Sequence, residues 1–170
     1  MSPAPGAVAW VTGLPSSGKT ALAGRLVDRI RAAGHPALLL DGDVVRAALV
    51  PPPAYDEEGR AAFYETLGNV ALALAGQGLV VVVAATAHRR AFRDRVRLRA
   101  PRFVEVLVDV PAQTCAARDP KGLWAAARGG ATPALPGAGV AYERPLAPEV
   151  VASGGEDGRA VEDAVAHLLS

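Results

Sequence analysis

One segment constrains the fold of this chain more than any other: Gly13-Leu14-Pro15-Ser16-Ser17-Gly18-Lys19-Thr20. It fits the pattern GxxxxGK[ST], with an apolar run, Ala7–Val11, before it and Leu22, Leu26 and Ile30 on one helical stripe after it. A strand, a glycine-bearing loop and a helix in this order predict backbone N–H groups turned toward one centre at a helix N-terminus, which binds phosphate. A turn that only caps a helix would explain neither Lys19 nor the strand.

The polar side chains of this loop indicate the ligand. Lys19 is placed to reach the β- and γ-phosphates of a nucleoside triphosphate, and the hydroxyl of Thr20 is placed to bind Mg²⁺. The sequence therefore predicts a nucleotide site made of all eight residues, with ATP and Mg²⁺ as cofactors. Lys19 is its first catalytic candidate.

Strands and helices are predicted to alternate along the rest of the chain. Apolar runs predict further strands, and core spacing predicts helices between them; the strands are Ala37–Leu40, Leu79–Ala84, Phe103–Val108 and Val150–Val151, and the helices are Arg60–Ala75, His88–Arg99 and one through Val161, Val165 and Leu168. This order predicts an α/β fold of the P-loop NTPase type, a three-layer sandwich with a parallel sheet of about five strands. With 170 residues, 51% of them apolar, the chain is expected to form a single domain over 1–170.

Charge and composition exclude several classes of partner. The 18 basic and 17 acidic residues leave a net charge of +1, so no overall field favours nucleic acid or an anionic membrane. Residues 87–102 are rich in arginine, but solvent-facing arginines on a helix explain this better than nucleic-acid binding, because the segment holds one phenylalanine, Phe92, and no series of aromatic residues for base stacking. One or two of the arginines could point inward toward phosphate. No secretory signal or apolar stretch of membrane-spanning length is present, which predicts a cytoplasmic protein without a membrane partner.

Charged residues follow the second predicted strand. Asp41, Asp43 and Arg46 come directly after it, and the carboxyl ends of parallel strands share one edge of the sheet, so both carboxylates are expected beside the phosphate loop. One of them, Asp41, can hold the metal, while Asp43 can accept the proton of an attacking hydroxyl. Arg46 would clamp an anionic part of the acceptor. The alternative is an N-cap aspartate with a surface ion pair.

Two stretches lack regular periodicity. Residues 50–59 hold three prolines, which are incompatible with regular helix. Residues 120–148 are rich in Gly, Pro and Ala, and a loop this long in a compact domain is usually a lid or a binding loop. Trp124, within it, either covers the nucleotide or packs.

The segments GLPSSGKT, LDGDVVR, EVLVDVPAQTCAARDPKGLW and YERPLAP, in this order, resemble the adenylyl sulfate kinase family. These P-loop enzymes phosphorylate the 3′-hydroxyl of adenylyl sulfate with MgATP. The resemblance implies a lid over about residues 118–148, with Arg118 facing the nucleotide and Lys121 the substrate. It also implies that Arg46 and Arg60 bind the acceptor and that Tyr55 stacks on its adenine.

The departures from the family pattern lie on the acceptor side. The family reads RxxNxRR where this chain reads RAAFYET, so that Phe63 replaces an asparagine and Glu65-Thr66 replace two arginines. Thr86 stands in the family's ISP position, and Leu135 stands where the family has a second stacking aromatic residue. We take Phe63, Thr86 and Leu135 as candidate substrate residues. If Glu65 and Thr66 point to solvent, the replacement costs little; if they face the acceptor, recognition is lost.

The sequence thus predicts a small-molecule kinase that transfers the γ-phosphate of MgATP to a hydroxyl, resembling adenylyl sulfate kinase. One alternative is a family member that phosphorylates a different hydroxylated metabolite. A less favoured alternative is a nucleotide-dependent regulatory protein. The oligomeric state stays open, with a homodimer as one candidate.

Overall fold

Strands and helices alternate through the chain. The computed structural model describes residues 4–130 and 134–170. Its strands are β1 (Ala7–Thr12), β2 (Ala37–Asp41), β3 (Val80–Ala84), β4 (Phe103–Val108), β5 (Leu135–Pro136), β6 (Gly139–Val140) and β7 (Val150–Ala152). Its helices are α1 (Lys19–Ala32), α2 (Gly42–Ala48), α3 (Glu57–Ala75), α4 (Arg90–Arg97), α5 (Ala112–Arg118), α6 (Leu123–Arg128) and α7 (Gly158–Leu169).

Five of the strands form one parallel sheet in the order β2-β3-β1-β4-β7. Strand β1, all of whose residues are buried, lies at the centre, and the ends of β1, β2 and β3 are level, since Val11 and Asp41 both pair with Ala84. The α/β fold with a five-stranded parallel sheet is therefore confirmed. The residues that follow these strands meet along one edge, which is where ligands bind in open parallel sheets.

Each face of the sheet has its own apolar core. Alternate side chains of β1 enter the two cores. Val11 packs with α1 and α7 on one face, whereas Trp10 packs with α3 on the other. In α1 the buried stripe includes the predicted Leu22, Leu26 and Ile30. Helices cover both faces, which gives the predicted three layers.

Several boundaries differ from the prediction for local reasons. Helix α3 begins at Glu57, within a stretch predicted to be irregular, because the Asp56 side chain accepts a hydrogen bond from the Gly59 N–H and caps the first turn. Helix α4 begins only at Arg90, whose N–H donates to the Glu143 carboxylate at 2.9 Å. That partner is 53 residues away and could not be read from local sequence.

The predicted lid is partly regular. Helix α6 and the two-residue strands β5 and β6 lie inside it, and α5 precedes it. The stretch that lacks periodicity in the sequence therefore contains short regular elements in its described part, while residues 131–133 lie outside the described residues. None of the helices in the described ranges is long and apolar enough to cross a bilayer.

Candidate active site

The phosphate loop connects β1 to α1 through backbone conformations that few residues adopt. Ser16 and Gly18 have φ angles of 67° and 101°, in the left-handed region. A Cβ on Gly18 would lie 2.8 Å from the Gly155 N, so only glycine fits there. The Ser17 hydroxyl oxygen is buried and has no hydrogen-bond partner in the described part of the chain. An enclosed polar atom beside such a loop fits the binding of a phosphate.

Lys19 supplies the positive charge of this loop. Its Nζ donates a hydrogen bond to the Leu14 carbonyl at 2.8 Å. Burial lowers the pKa of Lys19 to about 8, while the nearby carboxylates of Asp43 and Asp41 act in the opposite direction. A partly desolvated ammonium is poised to gain from an anionic ligand, and a triphosphate supplies such charge.

Asp41 has two roles, carried by its two oxygens. Its Oδ1 accepts hydrogen bonds from the backbone N–H groups of Asp43 and Val44 at 2.9 and 3.4 Å, which caps α2. Its Oδ2 accepts a hydrogen bond from the Thr20 hydroxyl at 2.7 Å. The N-cap alternative and the predicted approach to the phosphate loop are therefore both present in the structure.

The Thr20–Asp41 pair fits a magnesium ion. No group of three or more His, Cys, Asp or Glu residues that could hold a metal occurs within residues 4–130 and 134–170. Mg²⁺ commonly uses one or two protein ligands and completes its shell with substrate phosphates and water. A hydroxyl and a carboxylate next to the phosphate loop match that donor set.

Asp43 and the lid meet at the same place. The Lys121 ammonium contacts the Asp43 carboxylate, and this hydrogen bond raises the pKa of Lys121. The structure thus brings together the phosphate loop, both aspartates and the start of the lid. Arg118 is exposed at the end of α5, three residues before Lys121.

The lid rests directly on the phosphate loop. The Trp124 indole N–H donates to the Pro15 carbonyl at 3.0 Å, and the indole is buried. On its other side, Gly137 lies so close that an added Cβ would come within 2.7 Å of the indole. Leu135 packs, partly buried, against the same apolar cluster as Trp124. Trp124 therefore holds the lid against Pro15 of the loop.

Polar atoms at the ends of β1 and β3 join the lid to the sheet. The Thr12 hydroxyl donates to the Thr86 carbonyl at 2.6 Å, so the Tyr142 hydroxyl, 2.8 Å away, is the donor in the second bond to Thr12. Burial raises the pKa of Tyr142, which keeps it protonated and able to donate. Thr86 thus contributes its backbone carbonyl to this junction.

The two arginines predicted to bind the acceptor are both buried. The Arg46 guanidinium is between the rings of Tyr55 and Phe63. The Arg60 guanidinium donates to the Ala134 carbonyl at 2.7 Å and so links α3 to the lid. Both arginines lie close enough to Tyr64 to oppose the rise that burial causes in its pKa.

Comparison with known proteins identifies the family. The family model for adenylylsulphate kinase matches residues 5–153. An adenylyl-sulfate kinase of Citrobacter koseri is 42% identical over 166 residues, covering 96% of this chain and 81% of the relative. A structure of the Mycobacterium tuberculosis APS kinase CysC in complex with AMPPNP and APS has a TM-score of 0.88 and 34% identity, covering 99% of this chain and 100% of that one. The chain belongs to the adenylylsulphate kinase family.

Glu65 and Thr66 replace two arginines of the adenylylsulphate kinase family pattern. Both side chains face outward. Glu65 is exposed and pairs with Arg95 of α4 at 3.3 Å, and the Thr66 hydroxyl donates to the Ala62 carbonyl of its own helix. Neither side chain has a contact with Arg46 or Arg60 in the described residues. Phe63, by contrast, is 3% exposed and lies against Arg46.

The expectation that arginines of residues 87–102 point toward phosphate is corrected, and a further ion pair lies near the lid. Arg93 and Arg97 do point inward, but they bind Glu105 and Glu149 rather than a phosphate site. Asp109 pairs with Arg144 through both oxygens, at 2.8 and 3.0 Å, which lowers the pKa of Asp109. These partners are distant in sequence, and no local pattern marks them.

Two features of the site were missed. Thr12 was not predicted, although a polar residue at the end of an apolar strand is a signal for such a junction. A cavity of about 490 Å³ also lies beside Leu14, between the end of β4 and the lid residues Val140 to Arg144. Its lining includes Leu14 of the phosphate loop but not Lys19, Asp41 or Asp43, so it adjoins the loop without containing those charged residues.

Proposed function

We propose that this chain transfers the γ-phosphoryl group of MgATP to the 3′-hydroxyl of adenylyl sulfate. Its family membership makes it an ATP-dependent phosphotransferase that acts on a hydroxyl group. The acceptor is the proposed part. The relatives named above are adenylyl-sulfate kinases, and none supports the alternative of a different metabolite.

The convergence of three segments carries this proposal. Lys19 of the loop, Asp41 with Thr20, and Asp43 with Lys121 of the lid lie along one sheet edge. Phosphoryl transfer needs charge neutralisation on the phosphate and a base near the attacking hydroxyl. Mg²⁺, when bound, supplies part of that neutralisation, and Thr20 and Asp41 are the residues that would hold it.

The remaining residues have separate roles in the reaction. The acceptor oxygen bonds to the γ-phosphorus as the bond from that phosphorus to the oxygen of the departing ADP breaks, and the hydroxyl proton goes to Asp43. Lys19 stabilises charge on the transferred group. The lid, anchored by Trp124 on Pro15, excludes water that would compete with the acceptor.

The test is direct product analysis with the purified chain. ATP, Mg²⁺ and adenylyl sulfate should give ADP and 3′-phosphoadenylyl sulfate in equal amounts, identified by mass spectrometry. A panel of other hydroxylated metabolites should give a much lower kcat/KM. A higher kcat/KM for another acceptor, or ADP release with water alone, would overturn the proposal.

The Asp43→Asn variant tests the proposed base. It should bind ATP as the wild type does and lose about 10²–10⁴-fold in kcat, because the amide cannot take up the proton. Asp28→Asn, on the exposed side of α1, is the matched control and should keep full turnover. Normal turnover of Asp43→Asn would exclude Asp43 as the base.

A further inference from the structure

Arg46 is held between two aromatic rings. Its guanidinium carbon lies 4.3 Å from the centroid of the Tyr55 ring and 4.2 Å from that of Phe63. Both distances are within the range of cation–π attraction, which strengthens when the cation is desolvated. The Arg46 residue is only 8% exposed. Two aromatic rings therefore lie against a largely buried guanidinium.

The free part of this guanidinium is its edge. Its Nη1 donates to the Pro53 carbonyl at 3.0 Å, the one hydrogen bond that the Arg46 side chain makes to the described residues. Its other nitrogens have no hydrogen-bond partner among the described residues, and they are not among the enclosed unpaired polar atoms of those residues, which are Ser17 Oγ and His88 Nδ1. Guanidinium N–H groups bind oxyanions in the plane of the group. A ligand oxyanion must therefore approach Arg46 edge-on.

The two rings differ in how firmly they are fixed. Phe63 is 3% exposed, belongs to the apolar core under α3, and lies against Tyr64 with ring centroids 5.4 Å apart. Tyr55 is 52% exposed. Phe63 is therefore the rigid wall of the pair, and Tyr55 is the outer cover.

We propose that Phe63 is a positioning residue for the acceptor: it fixes the plane of the Arg46 guanidinium so that the free edge meets an oxyanion of the acceptor. The inference rests on the proposed function, because it takes Arg46 to bind the acceptor. It gives a role to the aromatic residue that stands in place of the asparagine of the family pattern. The asparagine-to-phenylalanine replacement then changes how the acceptor arginine is held rather than removing a contact.

The kinetic test compares substitutions on one face of α3. Phe63→Leu should raise the KM for adenylyl sulfate about tenfold, because the ring that orients Arg46 is lost, with kcat and the KM for ATP within about twofold of wild type. Phe63→Tyr, which keeps an aromatic ring, should have the wild-type KM for adenylyl sulfate. Leu67→Val, a buried change one turn further along α3, controls for general loosening of the core and should leave the KM for adenylyl sulfate unchanged.

A spectroscopic readout separates this inference from the proposed function. In the ¹H–¹⁵N spectrum, the Nε–H signal of Arg46, assigned by its loss in Arg46→Lys, should be shifted upfield by the two rings and should move downfield in Phe63→Leu. An unmoved signal, or an unchanged KM for adenylyl sulfate in Phe63→Leu, overturns the positioning role. If the signal moves while the wild type does not phosphorylate adenylyl sulfate, the proposed function fails and the role of Phe63 in recognising that acceptor fails with it.

Discussion

At the scale of single residues, Lys19 combines burial with charge. Burial lowers the pKa of its ammonium to about 8, far below the ordinary lysine value, because desolvation outweighs the attraction of Asp43 and Asp41. Below that pH the lysine is protonated and can bind phosphate. Above it, the free protein loses the charge that its phosphate loop needs.

Turnover should therefore depend on pH in a defined way. The value of kcat/KM for ATP should fall as pH rises through about 8, because this parameter reports the free enzyme. The value of kcat should hold to higher pH, since a bound triphosphate favours the charged lysine and raises its pKa. Steady-state rates from pH 6.5 to 10 would measure how both kcat/KM and kcat fall at high pH.

A matched variant isolates the lysine. Arginine keeps its charge throughout this pH range. The residual kcat/KM for ATP of Lys19→Arg should therefore not fall as pH rises through about 8. If kcat/KM for ATP still fell near pH 8 in Lys19→Arg, the titration of another group would be responsible for the fall.

At the scale of elements, strands and helices were predictable to different extents. The strands β1 to β4 form almost where the apolar runs place them, because a strand buried on both faces needs apolar residues at every position. Helices α5 and α6 were missed, since each has six or seven residues and no amphipathic repeat. The boundary between them is set by side-chain hydrogen bonds: the Asp119 carboxylate accepts from the backbone N–H groups of Trp124 and Ala125.

The candidate site was predictable for a similar reason. The loop residues and Asp41 are read from contiguous motifs, and parallel topology brings them to one edge. The stacking of Phe63 on Arg46 and the outward direction of Glu65 depend on how α3 is rotated against the sheet. That rotation is fixed by packing between elements distant in sequence, so the motif alone could not decide it.

The packing of the lid on the phosphate loop leads to a prediction at this scale. Gly137 has a φ of 89°, and a Cβ there would lie 2.7 Å from Trp124 and 3.1 Å from Leu14. Gly137→Ala should push the lid away from the loop. We expect the KM for ATP to rise about tenfold, because the clash with Trp124 costs about 1–3 kcal/mol, together with more ADP formed per acceptor phosphorylated.

Gly130 provides the control for this substitution. It too has a positive φ, 72°, but a Cβ there meets no atom of residues 4–130 and 134–170 within 4 Å. Gly130→Ala therefore carries the backbone strain without the clash and should leave the KM for ATP near the wild-type value. Equal effects of the two substitutions would show that backbone strain, and not contact with Trp124, is responsible.

At the scale of the whole molecule, a buried ion network joins the sheet, α4 and the end of the lid. Arg93 is fully buried; its Nε donates to Glu105 of β4 at 2.7 Å, and its Nη2 donates to the Glu143 carbonyl at 2.7 Å. Arg97 adds contacts to Glu105 and to Glu149. Since the residue before Glu143 is the tyrosine bonded to Thr12, Arg93 also fixes where the lid rejoins the sheet.

Removing Arg93 should destabilise the protein, because the Glu105 carboxylate stays buried without its main partner. Arg93→Met should lower the free energy of unfolding by about 3–5 kcal/mol, because it deprives Glu105 of its fully buried partner. The exposed pair of Arg95 and Glu65 is on the same helix, and Arg95→Met should cost under about 1 kcal/mol. Urea unfolding measures both. The double variant Arg93→Met with Glu105→Gln should recover part of the loss, since the buried carboxylate charge, which Arg97 alone would otherwise compensate, is gone. Equal losses of unfolding free energy in the two single variants would mean that the buried network stabilises the protein no more than a surface ion pair does.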